Sequence, residues 1–165
     1  MFYEGLKSRD PFVRRFCFQL ALNSNVGGDL IFVLQRALKN SDPRVRRDAL
    51  QKLPAALPNA ESKGLLVRAR NDRYAPVRRE ALNIFAQKYP EEADREFEFG
   101  LLDGNIAVRE EAQQYFRQKG TLDLLGYYSR KLDVSSNRQL CAAIAGLGET
   151  GHREDSQLLE PFLSK

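Results

Sequence analysis

Four stretches of this chain carry one phrase at an almost fixed spacing. They are Asp10-Pro11-Phe12-Val13-Arg14-Arg15, Asp42-Pro43-Arg44-Val45-Arg46-Arg47, Ala75-Pro76-Val77-Arg78-Arg79 and Asn105-Ile106-Ala107-Val108-Arg109-Glu110. The valines at 13, 45, 77 and 108 step by 32, 32 and 31 residues. A small residue follows each first Arg by three: Cys17, Ala49, Ala81 and Ala112. A worn fifth copy has Arg138 and Cys141 in those places. A period of this length marks a repeated supersecondary unit, which buries its apolar face only by stacking on its neighbours.

Each copy reads as the start of a helix. Asp10 and Asp42 can accept from the first free backbone N–H groups, and Pro11 and Pro43 sit where a missing N–H costs nothing. Val45, Ala49, Leu53, Ala56 and Leu57 then recur at spacings of three and four, which places them on one face. Pro54 and Pro58 mark the fraying and end of that helix, and Pro90, Gly120 and Gly148 punctuate later copies. Between the copies lies a second amphipathic set. Leu30, Val33, Leu34, Ala37 and Leu38 keep strict helical spacing, and Leu65–Ala69, Phe97–Leu102, Leu122–Leu132 and Leu158–Phe162 are its counterparts. Each unit is therefore helix A, a short loop and helix B. The B helices should start near residues 11, 43, 75, 105 and 135, with no strand among them. Cys17 and Cys141 take the position of Ala49, Ala81 and Ala112, so both are expected to be small, reduced core residues.

The tetratricopeptide and ankyrin signatures are absent. Asp-Pro-x-Val-Arg-Arg-x-Ala-Leu at 42–50 resembles HEAT repeats of the short class named after the phycobilisome lyases, and Leu147-Gly148-Glu149-Thr150-Gly151 is similar to the inter-repeat turn of that class. The resemblance implies an all-α fold, a right-handed α-solenoid of roughly five helix pairs, with residues 1–165 forming a single array. It also implies that the first Arg column (Arg14, Arg46, Arg78, Arg109 and Arg138) braces neighbouring loops, with Asp42, Asp72 and Asp103 as acceptors. In such arrays the B helices form the concave wall. This array reads as cut at both ends. Met1 to Lys7 supply only a short first helix A, and another Asp-Pro-x-Val-Arg would be due at Lys165. Phe12, Phe16 and Phe18 crowd the first helix B; either the opening helix covers them or the chain is a piece of a longer array.

Charge is polarised along the sequence. Residues 1–88 hold 17 Lys/Arg against 8 Asp/Glu, a net of +9, whereas residues 89–165 hold 9 against 14, a net of −5. That bears on partners and steering rather than fold. No apolar run approaches the roughly 20 residues that span a bilayer, and Met1-Phe2-Tyr3-Glu4 does not open a signal peptide, so the cytoplasm is the expected compartment.

Catalytic constellations are thin. Ala145-Gly146-Leu147-Gly148-Glu149-Thr150-Gly151 contains a formal Gly-x-Gly-x-x-Gly, but a dinucleotide site needs that motif between a strand and a helix, and here helices flank it. His152 is the single histidine, too few for a zinc site or for the His-Glu pairs of the di-iron HEAT-repeat hydroxylases. Glu91, Glu92, Asp94, Glu96 and Glu98 open a helix, where carboxylates favour the positive end of its dipole, and read as a solvated helix start. No cofactor, no metal and no catalytic residue is expected; the chain reads as a binding scaffold and not as an enzyme.

The candidate site is a second column. Arg15, Arg47 and Arg79 follow the bracing arginines, and one turn later come Gln19, Gln51 and Asn83. Positions four apart share a helix face, so stacked repeats would align three Arg-amide rungs on the B helices. The column continues as Glu110 with Gln114 and Gln139 with Ala143. Guanidinium forks grip carboxylates and phosphates, and amides add adaptable hydrogen bonds. The expected partner is a protein with an acidic or extended segment. Nucleic-acid binding through phosphates is the alternative. HEAT-like DNA glycosylases rely on concave aromatics, notably Trp, with a catalytic Asp, and this chain has no Trp. A chromophore-lyase-like accessory role is a further alternative that the resemblance brings.

Overall fold

The repeat phrases do nucleate helices. The structure, a computed structural model, describes residues 2–23, 30–134 and 136–163. Among them there is helix and no strand. In chain order the helices are α1 (Phe2–Gly5), α2 (Pro11–Asn23), α3 (Leu30–Ala37), α4 (Pro43–Ala56), α5 (Asn59–Ala69), α6 (Ala75–Lys88), α7 (Pro90–Leu101), α8 (Ile106–Lys119), α9 (Leu124–Val134) and α10 (Asn137–Thr150). A 3-10 segment, Arg153–Leu159, and α11 (Glu160–Leu163) follow. The B helices are α2, α4, α6, α8 and α10, which start within two residues of the expected positions. Ser135, the expected fifth start, lies outside the described residues.

Packing divides the chain into two compact units, residues 1–90 and 91–165. Because residues 89 and 90 are uncharged, this boundary coincides with the change of charge from +9 to −5.

In the first unit α4 packs against α2, α3, α5 and α6. The core runs through all three helix pairs, with Phe18 and Ala21 of α2, Val33, Leu34 and Ala37 of α3, Val45, Ala49, Leu50 and Leu53 of α4, Leu66 of α5, and Val77, Ala81 and Phe85 of α6. Burying each of the valine, leucine and phenylalanine side chains stabilises by about 1.5–3 kcal/mol, and the alanines let the helices approach closely. Pro54 is accommodated inside α4, which ends at Ala56. Only the α2 stripe departs from the pattern. Val13 is 40% exposed, where Val45 is fully buried, and Phe12 and Phe16 are 75% and 64% exposed. The short α1 lies close to Cys17, through Gly5, and leaves both phenylalanines uncovered.

In the second unit α7 and α8 are joined by the stacked rings of Phe97 and Tyr115, 3.9 Å between centroids. Tyr115 donates to Asp94 Oδ1, which Lys119 also grips. The acidic opening of α7 is thus only partly solvated: Glu96 is buried, and Asp94, though still nearly half exposed, is paired with Tyr115 and Lys119 of α8. α9 and α10 form an antiparallel pair in which Gly146 admits the Tyr128 ring; a Cβ there would lie 2.3 Å from Tyr128 Cε1.

The fifth copy differs from its sequence alignment. Cys141 is exposed and Cys17 half-buried, while Ala49, Ala81 and Ala112 are fully buried. The α10 core is instead Ala142, Ala143, Gly146 and Leu147, so the face presented inward is rotated by one to two residues. Gly148 likewise sits within α10, which continues to Thr150 and ends at Gly151; the stretch 147–151 is helix end and not a free turn.

Candidate functional site

Two Arg columns run along the B helices, and the structure separates their roles. In the first column a shared turn orients the guanidinium. Nη1 donates to the carbonyl six residues earlier in four of the five: Arg14 to Ser8 (2.7 Å), Arg46 to Asn40 (2.7 Å), Arg78 to Asp72 (2.7 Å) and Arg109 to Asp103 (2.9 Å). The side chains of those same residues accept the N–H two positions on, from Asp10, Asp42, Tyr74 and Asn105. Asp10, Asp42 and Asn105 then accept from the next N–H but one, capping α2, α4 and α8. Asp72 and Asp103 are among the acceptors expected from the sequence, whereas Ser8 and Asn40 fill the same repeat position without having been singled out there. Arg138 lacks this turn because Leu132 stands six residues before it, and it is exposed.

The far partners vary. Arg14 reaches Asp42 at 3.8 Å. Arg46 forms a two-pronged pair with Asp72, Nε to Oδ2 and Nη2 to Oδ1, both at 2.7 Å. Burial alone would raise the Asp72 carboxyl, but the Arg46 hydrogen bonds, the Tyr74 N–H and the Arg46 and Arg73 charges outweigh it and hold it below its ordinary value. Arg109 instead grips Glu149 of α10 through Nε and Nη2, and Gln113 donates to the same carboxylate at 2.8 Å. Gln113 also donates to the Tyr128 hydroxyl, which donates to the Leu101 carbonyl. Burial, ahead of the neighbouring charges, pushes Tyr128 up to about 12, so the phenol keeps the proton it donates.

The second column lies on the surface of the first unit, one rung each on α2, α4 and α6. Arg15 is half-buried and Gln19 exposed; Arg47 and Gln51 are exposed; Arg79 is exposed and Asn83 half-buried. The rungs are not purely cationic. Arg47 meets Asp48 at 3.6 Å, and Gln51 Nε2 donates to Glu80 Oε1 at 2.9 Å. Asp48 and Glu80 directly follow Arg47 and Arg79, so carboxylates interleave the ladder; the first copy has exposed Phe16 at that position. The expected continuation does not keep its pattern: Glu110, Gln114 and Gln139 are exposed, but Ala143 is buried in the α10 core.

Among the described residues no cluster of three or more His, Cys, Asp or Glu side chains could hold a metal ion, and no helix is long and apolar enough to cross a membrane. His152 is exposed at the start of the 3-10 segment, where its backbone N–H donates to Asp155. Compared with known proteins, the chain matches no family model and no curated protein.

Proposed function

We propose that this chain is a HEAT-like repeat protein of the short class named after phycobilisome lyases, a right-handed α-solenoid of about five helix pairs. It acts as a non-catalytic cytoplasmic scaffold that binds an acidic or extended segment of a protein partner. The observation that carries this reading is the placement of Arg15, Arg47 and Arg79, with Gln19, Gln51 and Asn83, at one repeat position on successive B helices of the basic unit. Asp48 and Glu80 favour a peptide over a phosphate backbone, since a peptide offers N–H donors to the interleaved carboxylates as well as acids to the guanidinium groups. The two free thiols suit a reducing compartment.

A fluorescent poly-glutamate peptide and a DNA duplex, each titrated at low and moderate salt, test the reading. Arg15→Glu/Arg47→Glu/Arg79→Glu should weaken peptide binding by well over tenfold, because repulsion replaces attraction at three points of about 1 kcal/mol each. The same change at the exposed Arg117, Arg130 and Arg153 is the control. If both triples weaken binding alike, net charge does the steering and the ladder is no site. Tighter binding to the duplex with a steep salt slope would favour the phosphate alternative.

A further inference from the structure

A cleft of about 430 Å³ opens in the first unit between the end of α3 and the end of α5, and no ladder residue lines it. Leu38, Leu65, Ala69 and Val77 supply its apolar lining, beside the polar Gln35. The Arg46–Asp72 pair also lines it. Lys39 and Arg68 stand on opposite walls and are exposed. Among the described residues neither cationic side chain has a hydrogen-bond or ion-pair partner. The one carboxylate in the cleft cannot serve them, because Asp72 is engaged by both prongs of Arg46 and by the Tyr74 N–H. A cleft of this size, in which an apolar surface adjoins convergent polar groups, has the character of a small-molecule site.

We infer that the cleft binds an amphipathic monocarboxylate, its head bridging Lys39 and Arg68 and its hydrocarbon body lying against Leu38, Leu65, Ala69 and Val77. The volume suits a ligand on the order of ten non-hydrogen atoms. A carboxylate matches the Arg68 fork, and Lys39 adds a mobile second charge. Because Arg46 already neutralises Asp72, the head meets only Lys39 and Arg68, and one carboxylate can be shared between them. The same chemistry is offered by a free fatty carboxylate and by a glutamate beside a leucine in a peptide.

Octanoate, acetyl-Leu-Glu-amide and 1-octanol are titrated into the isotope-labelled full chain while Leu65, Ala69 and Val77 resonances are followed. Octanoate or the dipeptide should give saturable shifts confined to the cleft, and whichever binds more tightly identifies the source. Octanol should bind at least about tenfold more weakly, because it lacks the charge that Lys39 and Arg68 answer. Lys39→Glu/Arg68→Glu should abolish saturation with an unchanged melting temperature. Ala69→Met, which fills the cleft and keeps both cations, should block binding as well. Absence of saturable shifts with both carboxylates, equal affinity for octanol, or undiminished binding by Ala69→Met would each overturn the assignment.

Discussion

Arg46 in the first unit and Arg109 in the second start from the same turn and finish on different acids. Both donate Nη1 to the carbonyl six residues back. Arg46 then takes Asp72, 26 residues on, in the loop before the next B helix. Arg109 takes Glu149, 40 residues on, near the end of α10. The pairing of Gln51 with Glu80 joins the second half of α4 to the first half of α6, whereas Arg109 and Gln113 join the first half of α8 to the last turn of α10. A short-range turn is specified by a few neighbouring residues and survives repetition. A long-range pairing needs the next helix pair to dock in register, and the fifth copy, with Leu132 and Arg138 in place of the turn, docks otherwise.

The contrast is sharpest in the core. Val45→Asp, Ala81→Glu and Ala112→Glu each place an unpaired charge at a fully enclosed position and should cost roughly 4 kcal/mol or more in chemical denaturation. Cys141→Glu occupies the aligned position of the fifth copy but faces solvent, and should change stability by no more than ~0.5 kcal/mol. A cost at Cys141 equal to that at Ala112 would show that the fifth copy packs like the others and would erase the distinction.

The clamps come next. Arg46→Met and Arg109→Met should each cost about 3 kcal/mol, since each strands a largely buried carboxylate and a loop carbonyl. Asp133→Ala and Glu149→Ala separate the two pairing rules. Asp133, in the last turn of α9, is the acid nearest to where the 26-residue step seen for Arg46 would fall after Arg109, yet it is exposed. Its loss should leave the melting temperature unchanged, whereas Glu149→Ala strands Arg109 and lowers it. The reverse ranking would mean that Arg109 follows the same rule as Arg46.

Acid should distinguish the units more gently. The Asp72 carboxyl is held below the ordinary aspartate value of 3.8 in the folded chain. A depressed carboxylate contributes stability that is fully present above the unfolded value and is lost as pH falls through the folded one. Protection of the α4 and α6 amides, taken relative to their intrinsic exchange rates, should therefore fall below about pH 4. In Asp72→Asn, whose clamp is already weakened, the loss of protection on acidification should be smaller. An identical acid profile in the variant would show that Asp72 is not the responsible group.

Much of the architecture was legible because the repeat phrase joins a helix cap to a helix face. Asp42 caps α4 as expected, and Val45, Ala49 and Leu53 are buried. The bracing role of Arg14 and Arg46, toward Asp42 and Asp72, was legible for the same reason. Position six before each bracing Arg is legible only where it is Asp, at 72 and 103; Ser8 and Asn40 hold it in the other two copies and were missed, because Ser, Asn and Asp look unlike as letters and alike only as acceptors. Glu149 belongs to the phrase that resembles an inter-repeat turn, which points to no partner for it; its role depends on how α10 docks. Asp48 and Glu80 were visible beside Arg47 and Arg79, and reading the ladder as a row of cations overlooked that adjacent carboxylates would fold back onto it.

One glycine in each unit provides the smallest test, and the two should respond with opposite sign. Gly64 lies exposed inside α5, and a Cβ there meets nothing within 4 Å. Helix-interior glycine costs backbone entropy without any compensating contact at this position, so Gly64→Ala should stabilise by ~0.5–1 kcal/mol. Gly146 is buried inside α10 against the Tyr128 ring, and a Cβ would lie 2.3 Å from two of its carbons. The ring cannot retreat freely, because its hydroxyl is tied to Gln113 and to the Leu101 carbonyl. Gly146→Ala gains the same propensity and loses more, with a net cost of about 1–3 kcal/mol from overpacking. Urea unfolding at constant slope reads both changes. If Gly146→Ala also stabilises, α9 and α10 are not closed on Tyr128, and the docking that hands Glu149 to Arg109 is not the one described.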